Sequence, residues 1–148
     1  MDVEPHVAAL RRGELRVTRC GGCGLPAFPL PRTCPSCGAE DAAEWFTASG
    51  RGTLWSFAVF RRTYLPEHPA PYAVLVVELA EGPRLVGAAA DGLAPGAPGG
   101  LVVGAPVTAE VDARSDPPRV VFRPALPPTP PGPDTTARSA PHREGAAR

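Results

Sequence analysis

Residues 20 to 24 read Cys20-Gly21-Gly22-Cys23-Gly24, and residues 34 to 38 read Cys34-Pro35-Ser36-Cys37-Gly38. A C-x-x-C turn brings two thiolates together, and two such turns that face each other supply four sulfur ligands in a tetrahedral arrangement. The glycine behind each pair allows the positive φ that a sharp turn requires. The spacing therefore predicts one metal ion, held by Cys20, Cys23, Cys34 and Cys37.

Zinc is the predicted metal, because thiolates suit it and a complete set of four leaves no open position for a catalytic water. Iron, as in rubredoxin, is the alternative, since a four-sulfur site accepts either metal. Residues 17 to 40 contain few large apolar side chains. We therefore expect the metal to organise a segment that cannot fold by burying apolar surface.

The predicted compartment of the chain agrees with metal binding. No apolar run approaches the roughly 18 to 20 residues that span a bilayer, and residues 1 to 5 lack the features of a signal peptide. We expect a cytoplasmic protein, in which paired cysteines indicate metal binding rather than disulfides.

The formal net charge is zero, with 15 basic and 15 acidic side chains, which offers no excess positive charge for binding nucleic acid.

The rest of the chain is predicted to be mainly β. A short helix is expected around residues 7 to 10, and Trp45-Phe46 marks a short strand before the turn at Ser49–Gly52. Five short strands separated by turn signals favour a small barrel or sandwich. A five-stranded oligonucleotide/oligosaccharide-binding (OB) barrel matches best in strand count and size, although periodicity does not exclude an SH3-like barrel. The predicted strands are Thr53–Phe60, Tyr72–Leu79, Arg84–Ala88, Val107–Val111 and Arg119–Phe122.

Four segments are predicted along the chain. Residues 1–14 form an N-terminal helical segment, residues 15–48 the metal ribbon and residues 49–125 the barrel domain. Residues 126–148 are rich in Pro, Ala, Thr, Ser and Arg, with almost no large apolar residue. Such a composition predicts a disordered tail.

The order of these motifs resembles one family closely. It is the acyl-CoA-associated family that combines a rubredoxin-like zinc ribbon with an OB fold, known as domain of unknown function 35. The resemblance covers roughly residues 15 to 125. The motifs that carry it are the two cysteine pairs, Pro29-Leu30-Pro31-Arg32, Glu44-Trp45, Ser49-Gly50-Arg51-Gly52-Thr53, Pro71-Tyr72, Val77-Glu78-Leu79 and Phe122-Arg123-Pro124-Ala125.

The resemblance implies a fold and a role. The fold would be an N-terminal helix, a zinc ribbon and an OB barrel. Family members accompany thiolases, thiolase-like aldolases, ketoacyl synthase relatives or acyl-CoA hydratases. They are thought to bind acyl-CoA or to hold the partner in its working shape. We therefore expect a non-catalytic accessory subunit that partners a thiolase-like or ketoacyl-synthase-like enzyme.

Candidate ligand-binding residues follow the first barrel strand. The guanidinium groups of Arg61 and Arg62 match the phosphates of coenzyme A, although such a pair also simply solubilises the end of a strand. Tyr64 and Tyr72 offer rings that stack on adenine or serve in packing. His68 is the single histidine of the predicted folded region, and no nucleophile with an adjacent base is evident, so no catalytic residue is predicted.

Two other functions remain open. Single-stranded nucleic acid is the main rival ligand, because OB barrels often bind it and Trp55, Phe57 and Phe60 offer stacking surfaces. Acidic residues interspersed among the arginines argue against it. A stand-alone acyl-CoA-binding protein with no enzyme partner is the second alternative.

Overall fold

The computed structural model describes residues 3–66, 68–90 and 100–125. The fold is mainly β with one short helix, as predicted. The predicted tail, residues 126–148, and most of the predicted loop 92–100 lie outside the described residues. The elements are α1 (Glu4–Arg11), β1 (Arg16–Cys20), β2 (Pro26–Ala27), β3 (Ala43–Thr47), β4 (Arg51–Phe60), β5 (Tyr72–Leu79), β6 (Arg84–Ala89), β7 (Pro106–Asp112) and β8 (Arg119–Pro124).

Helix α1 begins three residues before the apolar run from which it was predicted. Glu4 and Pro5 occupy its first turn, where a carboxylate complements the helix dipole and proline needs no hydrogen-bond partner. The helix ends before Gly13, which has a φ of 78°. Its buried face packs on β1, and His6 Nδ1 lies 2.7 Å from the carbonyl oxygen of Arg16. In the described part of the chain, no helix is long and apolar enough to cross a membrane.

Two sheets follow the helix. The first is a three-stranded antiparallel sheet in the order β2-β1-β3, which carries the cysteine turns. The second is a closed barrel in the order β4-β5-β6-β8-β7. Its strands pair antiparallel except for β6 and β8, which pair parallel over two residues. The predicted five-stranded barrel is therefore confirmed.

Strand β5 shows how the barrel core is built. Its residues alternate strictly between half-buried and buried, so Ala73, Leu75, Val77 and Leu79 point inward. On the opposite side of the core, Phe122 of β8 is fully buried. The nearly unbroken apolar run of β5 therefore has one side inside the barrel and the other on the outer side of the barrel.

The ribbon and the barrel share one core. Leu15 and Val17, at the start of the ribbon, belong to the same buried cluster as Leu75 and Phe122 of the barrel. The connecting turn is shorter than predicted, because Arg51 and Gly52 already belong to β4. A Cβ atom at Gly52 would lie 2.6 Å from the carbonyl oxygen of Glu78. Glycine at this position is required by the close approach of β5 rather than by a turn.

Candidate metal centre

The two cysteine turns have nearly the same backbone geometry. In each, the N–H of the following glycine donates to the carbonyl of the first cysteine, Gly24 to Cys20 at 2.7 Å and Gly38 to Cys34 at 2.9 Å. Both glycines have positive φ, 75° and 74°, as predicted. An L-residue is disfavoured in this conformation, so the C-x-x-C-G pattern is a requirement of the turn itself.

The turns bring the four cysteine sulfurs together. All four Sγ atoms lie within 4.8 Å of one another. The Sγ atoms of Cys20 and Cys37 are 3.7 Å apart, and those of Cys23 and Cys34 are 3.8 Å apart. A regular tetrahedron of thiolates at about 2.3 Å from zinc has edges of about 3.8 Å. Two of the six edges match this length and all six are at most 4.8 Å, so the donor set fits a tetrahedral metal ion.

The protonation of the thiols also favours a cation. Hydrogen bonds from the N–H groups of Cys37 and Ser36 lower the pKa of Cys34 to about 7. The N–H of Ala39 lowers the pKa of Cys37, but hydrogen bonds with neighbouring thiols and burial raise it to about 12. One thiolate forms readily, whereas four together require a positive ion to offset their repulsion.

Residues around the turns hold them in place. Thr18 is fully buried, and its hydroxyl donates to the carbonyl of Ala27 and accepts from the N–H of Leu30. Leu30 packs with Cys20 and Cys34, which are buried, whereas Cys23 and Cys37 face solvent. The role of Thr18 was not predicted from the sequence. A threonine within a strand is not distinctive until its partners are known.

The structure places Arg61 and Arg62 directly after β4, where both are exposed. Within the described residues, no carboxylate lies within ion-pair distance of either guanidinium group. The following loop is fastened by a hydrogen bond of 2.9 Å from the N–H of Ala70 to Thr63 Oγ1.

Tyr64 and Tyr72 form an aromatic cluster with Phe60. The rings of Phe60 and Tyr72 stack with centroids 4.8 Å apart, and the ring of Tyr64 meets Phe60 edge-on at 6.0 Å. His68 lies 6.0 Å from Tyr72. Tyr72 thus packs against its neighbour across the strand pair, while Tyr64 remains 69% exposed. Of the two tyrosines, Tyr64 has the more accessible ring.

Sequence reasoning missed a second constellation on the outer side of the barrel. The guanidinium carbon of Arg84 lies 3.5 Å from the ring centroid of Trp55. Arg84 Nε also donates to Glu78 Oε2 at 3.1 Å. Trp55 sits at an irregularity in the pairing of β4 with β5, which redirects its side chain. Its partners are distant in sequence, so no local pattern reveals the contact.

Two family models match the chain. One is described as the rubredoxin-like zinc ribbon domain of ChsH2 and covers residues 7–41. The other is described as the C-terminal OB-fold domain of ChsH2 and covers residues 45–112. The second match resolves the choice between an OB and an SH3-like barrel in favour of the OB fold.

Comparison with known proteins agrees with the two family models. A solved structure described as "Ltp2-ChsH2(DUF35) aldolase" is 32% identical, with a TM-score of 0.72, covering 84% of this chain and 95% of that chain. A probable enoyl-CoA hydratase alpha subunit from Thermomonospora curvata is 37% identical over 80% of this chain and 36% of its own length. A DUF35 domain-containing scaffold protein from Methanocaldococcus jannaschii is 34% identical over 49% of this chain and 52% of its own length.

The chain thus spans between about a third and about half of the length of these two curated relatives. The likeness to the solved structure covers both the ribbon and the barrel. Together with the two family models, it shows that the chain belongs to the ChsH2-type DUF35 family, in which a rubredoxin-like zinc ribbon is joined to an OB-fold domain.

Proposed function

We propose that this chain is a non-catalytic, zinc-binding accessory subunit. It associates with a thiolase-like or ketoacyl-synthase-like enzyme that acts on acyl-CoA thioesters. The observation that carries the proposal is the closed set of four cysteine sulfurs, within 4.8 Å of one another. Such a set uses all four ligand positions of a tetrahedral ion and leaves none for a substrate. In this proposal the metal ion stabilises the fold, and the partner enzyme catalyses the reaction.

Zinc is the proposed metal, held by Cys20, Cys23, Cys34 and Cys37. When bound, zinc crosslinks the two cysteine turns and offsets the negative charge of their thiolates. The backbone N–H groups of Ser36 and Cys37 donate towards Cys34, which stabilises its deprotonated form as a ligand. Iron in the same site remains the alternative, and metal analysis distinguishes the two.

The names of the relatives support an enzyme partner. One relative is called a scaffold protein, another a hydratase alpha subunit, and the solved structure pairs the names Ltp2 and ChsH2 in an aldolase. These names support a role as a scaffold or as a subunit beside an enzyme. The thiolase-like identity of the partner comes from the sequence motifs that resemble the family.

Acyl-CoA binding is proposed at the end of β4. Arg61 and Arg62 are exposed and form no ion pair within the described residues, so they are available for the phosphates of coenzyme A. Tyr64 presents an exposed ring beside them, on which an adenine can stack. The ring of Tyr72 stacks on that of Phe60, and Phe60 in turn contacts the ring of Tyr64.

Co-purification tests the proposed function. The tagged chain is expressed with a candidate thiolase-like enzyme from the same genome, and any complex is isolated by size exclusion. We expect a stoichiometric complex that contains about one zinc per copy of this chain. A lone chain that binds acetyl-CoA tightly would instead favour a stand-alone acyl-CoA-binding protein.

The geometry does not favour nucleic acid as the ligand. Phe57 packs against the barrel core, and Phe60 is stacked on Tyr72. One face of the Trp55 ring is covered by Arg84. Single-strand binding needs exposed rings in a row beside a positive groove. Failure to bind a single-stranded oligonucleotide at low salt would close this alternative.

A further inference from the structure

The barrel has an unusually apolar outer side. We use the term outer apolar face for the outward side chains of β4, β5 and β6. Antiparallel strands with one solvated side normally alternate apolar and polar residues. Here Val86 is 62% exposed and Trp55 is 50% exposed. Its apolar members are Trp55, Ala58, Phe60, Tyr72, Val74, Val76, Val86 and Ala88, and its polar members include Thr53, Ser56, Glu78 and Arg84.

The pairing register makes these side chains continuous. Val74 is paired with Ala58 on one side and with Ala88 on the other. Val76 is likewise paired with Val86. Side chains of paired residues on one side of a sheet lie about 5 Å apart and touch. The face is therefore a single patch across three strands rather than a set of scattered apolar residues.

An ordered anchor lies at one end of the patch. Arg84 is stacked on Trp55 at 3.5 Å, and Glu78 holds the same guanidinium group at 3.1 Å. Tryptophan and arginine are the side chains most enriched at the energetic centres of protein interfaces. A pair that is already fixed loses little conformational entropy on binding. The patch thus combines apolar area with a preorganised contact.

Charges around the face indicate the chemistry of its partner. Arg61 and Arg62 lie at the end opposite the anchor, and neither has an acidic partner within the described residues. Glu78 is the one carboxylate on this face among those residues, and it is engaged by Arg84. A second copy of the chain would bring the same arginine-rich surface against itself, which like charges oppose. A partner that itself binds coenzyme A would instead share these arginines with the phosphates of its ligand.

The parts of the chain outside the structure are poorly suited to cover this face. Residues 91–99 contain one large apolar residue, Leu93, and residues 126–148 also contain one, Leu126. The second segment carries Asp134 and Glu144 against three arginines. Residues 91–99 carry one carboxylate, Asp91, but neither segment has the large apolar side chains that would cover the face.

We infer that the outer apolar face is the surface on which the partner enzyme docks. This inference rests on the proposed function. The contact region of the partner is apolar opposite Trp55 and Val86, and Arg61 and Arg62 lie at its edge, where they remain available to coenzyme A.

A matched pair of substitutions tests the inference. Val86→Glu places a charge in the centre of the face, and Val102→Glu places the same charge at an equally exposed valine in the turn before β7. The probe is the co-expressed thiolase-like enzyme, and its affinity is measured by calorimetry with the intact chain. We expect Val86→Glu to weaken binding by about 100-fold and Val102→Glu by less than about threefold.

Zinc content and the circular dichroism melt of each variant report whether it is folded. If Val86→Glu fails to fold, Trp55→Ala replaces it, with at least about tenfold weaker binding expected. Unchanged affinity of a folded Val86→Glu or Trp55→Ala variant would overturn the inference while leaving the proposed function intact. Loss of a homodimer in Val86→Glu would also overturn it, in favour of self-association. Absence of any binding by the unaltered chain would remove the proposed function and the inference with it.

Discussion

The backbone N–H of Ser49 donates a hydrogen bond of 2.7 Å to Glu81 Oε1. Ser49 lies in the connection from ribbon to barrel, and Glu81 lies in the turn between β5 and β6. In the same turn, a Cβ atom at Gly82 would lie 2.7 Å from Pro26 Cγ in the ribbon. The β5–β6 turn therefore links the two parts of the chain by a polar contact and by close packing.

The Glu81 carboxylate is expected to make the stability of the chain depend on pH. Burial raises the pKa of Glu81, but hydrogen bonds from Ser49 and the nearby Arg51 guanidinium outweigh it and hold the pKa below the ordinary value of a glutamate. Since the pKa is lowered in the folded state, the stabilisation is present above about pH 4.5 and is lost as the pH falls through the folded value.

Glu81→Gln tests this dependence. We expect it to lower the free energy of unfolding by up to about 1 kcal/mol at neutral pH, because the carboxylate is partly exposed and screened. The difference from the unaltered chain should shrink near about pH 3. Urea denaturation at both pH values measures it, with Glu40→Gln, at an exposed glutamate, as the control. An equal loss at both pH values would contradict the charge-based explanation.

Cys34→Ser should remove the metal. Cys34 is buried, and its sulfur lies 3.8 Å from that of Cys23, so a hydroxyl in its place breaks the four-thiolate set. We expect metal affinity to fall by at least about 100-fold and the melting temperature to fall with it. Elemental analysis and thermal denaturation measure the two effects. Ser36→Ala, in the same turn, is the control and should retain the metal. A metal-free chain that remains folded would refute the assignment.

Replacing both Arg61 and Arg62 with alanine should weaken binding of acetyl-CoA by about tenfold or more, because two charge-assisted contacts to phosphate are lost. Calorimetry on the chain and on its complex measures the effect. Arg11→Ala with Arg12→Ala removes a similar exposed pair from the end of α1 and serves as the control. If affinity is unchanged, these residues do not form the coenzyme A site.

Gly87→Ala should destabilise the barrel. A Cβ atom there would lie 2.6 Å from Phe122 Cε2 and 2.8 Å from the carbonyl oxygen of Val120. We expect a loss of about 1 to 3 kcal/mol in the free energy of unfolding, since the core must shift to admit the methyl group. Ala88→Ser, at the adjacent outward position, should change stability by less than about 0.5 kcal/mol. Chemical denaturation of the two variants provides the comparison.

Local patterns in the sequence predicted the features that depend on neighbouring residues. The cysteine turns are such a case, because a C-x-x-C-G segment determines its own backbone geometry, and both glycines have the predicted positive φ. Strand β5 is another, and its observed bounds, Tyr72–Leu79, equal the predicted ones. In both cases the interactions that decide the structure lie within a few residues of each other.

Features that depend on distant residues could not be predicted in this way. The stack of Arg84 on Trp55 and the bond between Ser49 and Glu81 each join segments about thirty residues apart, and they form only after the barrel has closed. The apolar run of β5 likewise gave no sign that half of it faces outward. Because the strand is apolar on both sides, its sequence does not distinguish a buried strand from one with an exposed apolar surface.

The shared core has a consequence for how the chain comes apart. Since Val17 of the ribbon is packed in the same cluster as Phe122 of the barrel, extraction of the cation should not release a loose appendage from an intact domain. The whole described chain should instead melt in a single cooperative transition, so that amides deep in the barrel exchange with solvent faster once a chelator has acted.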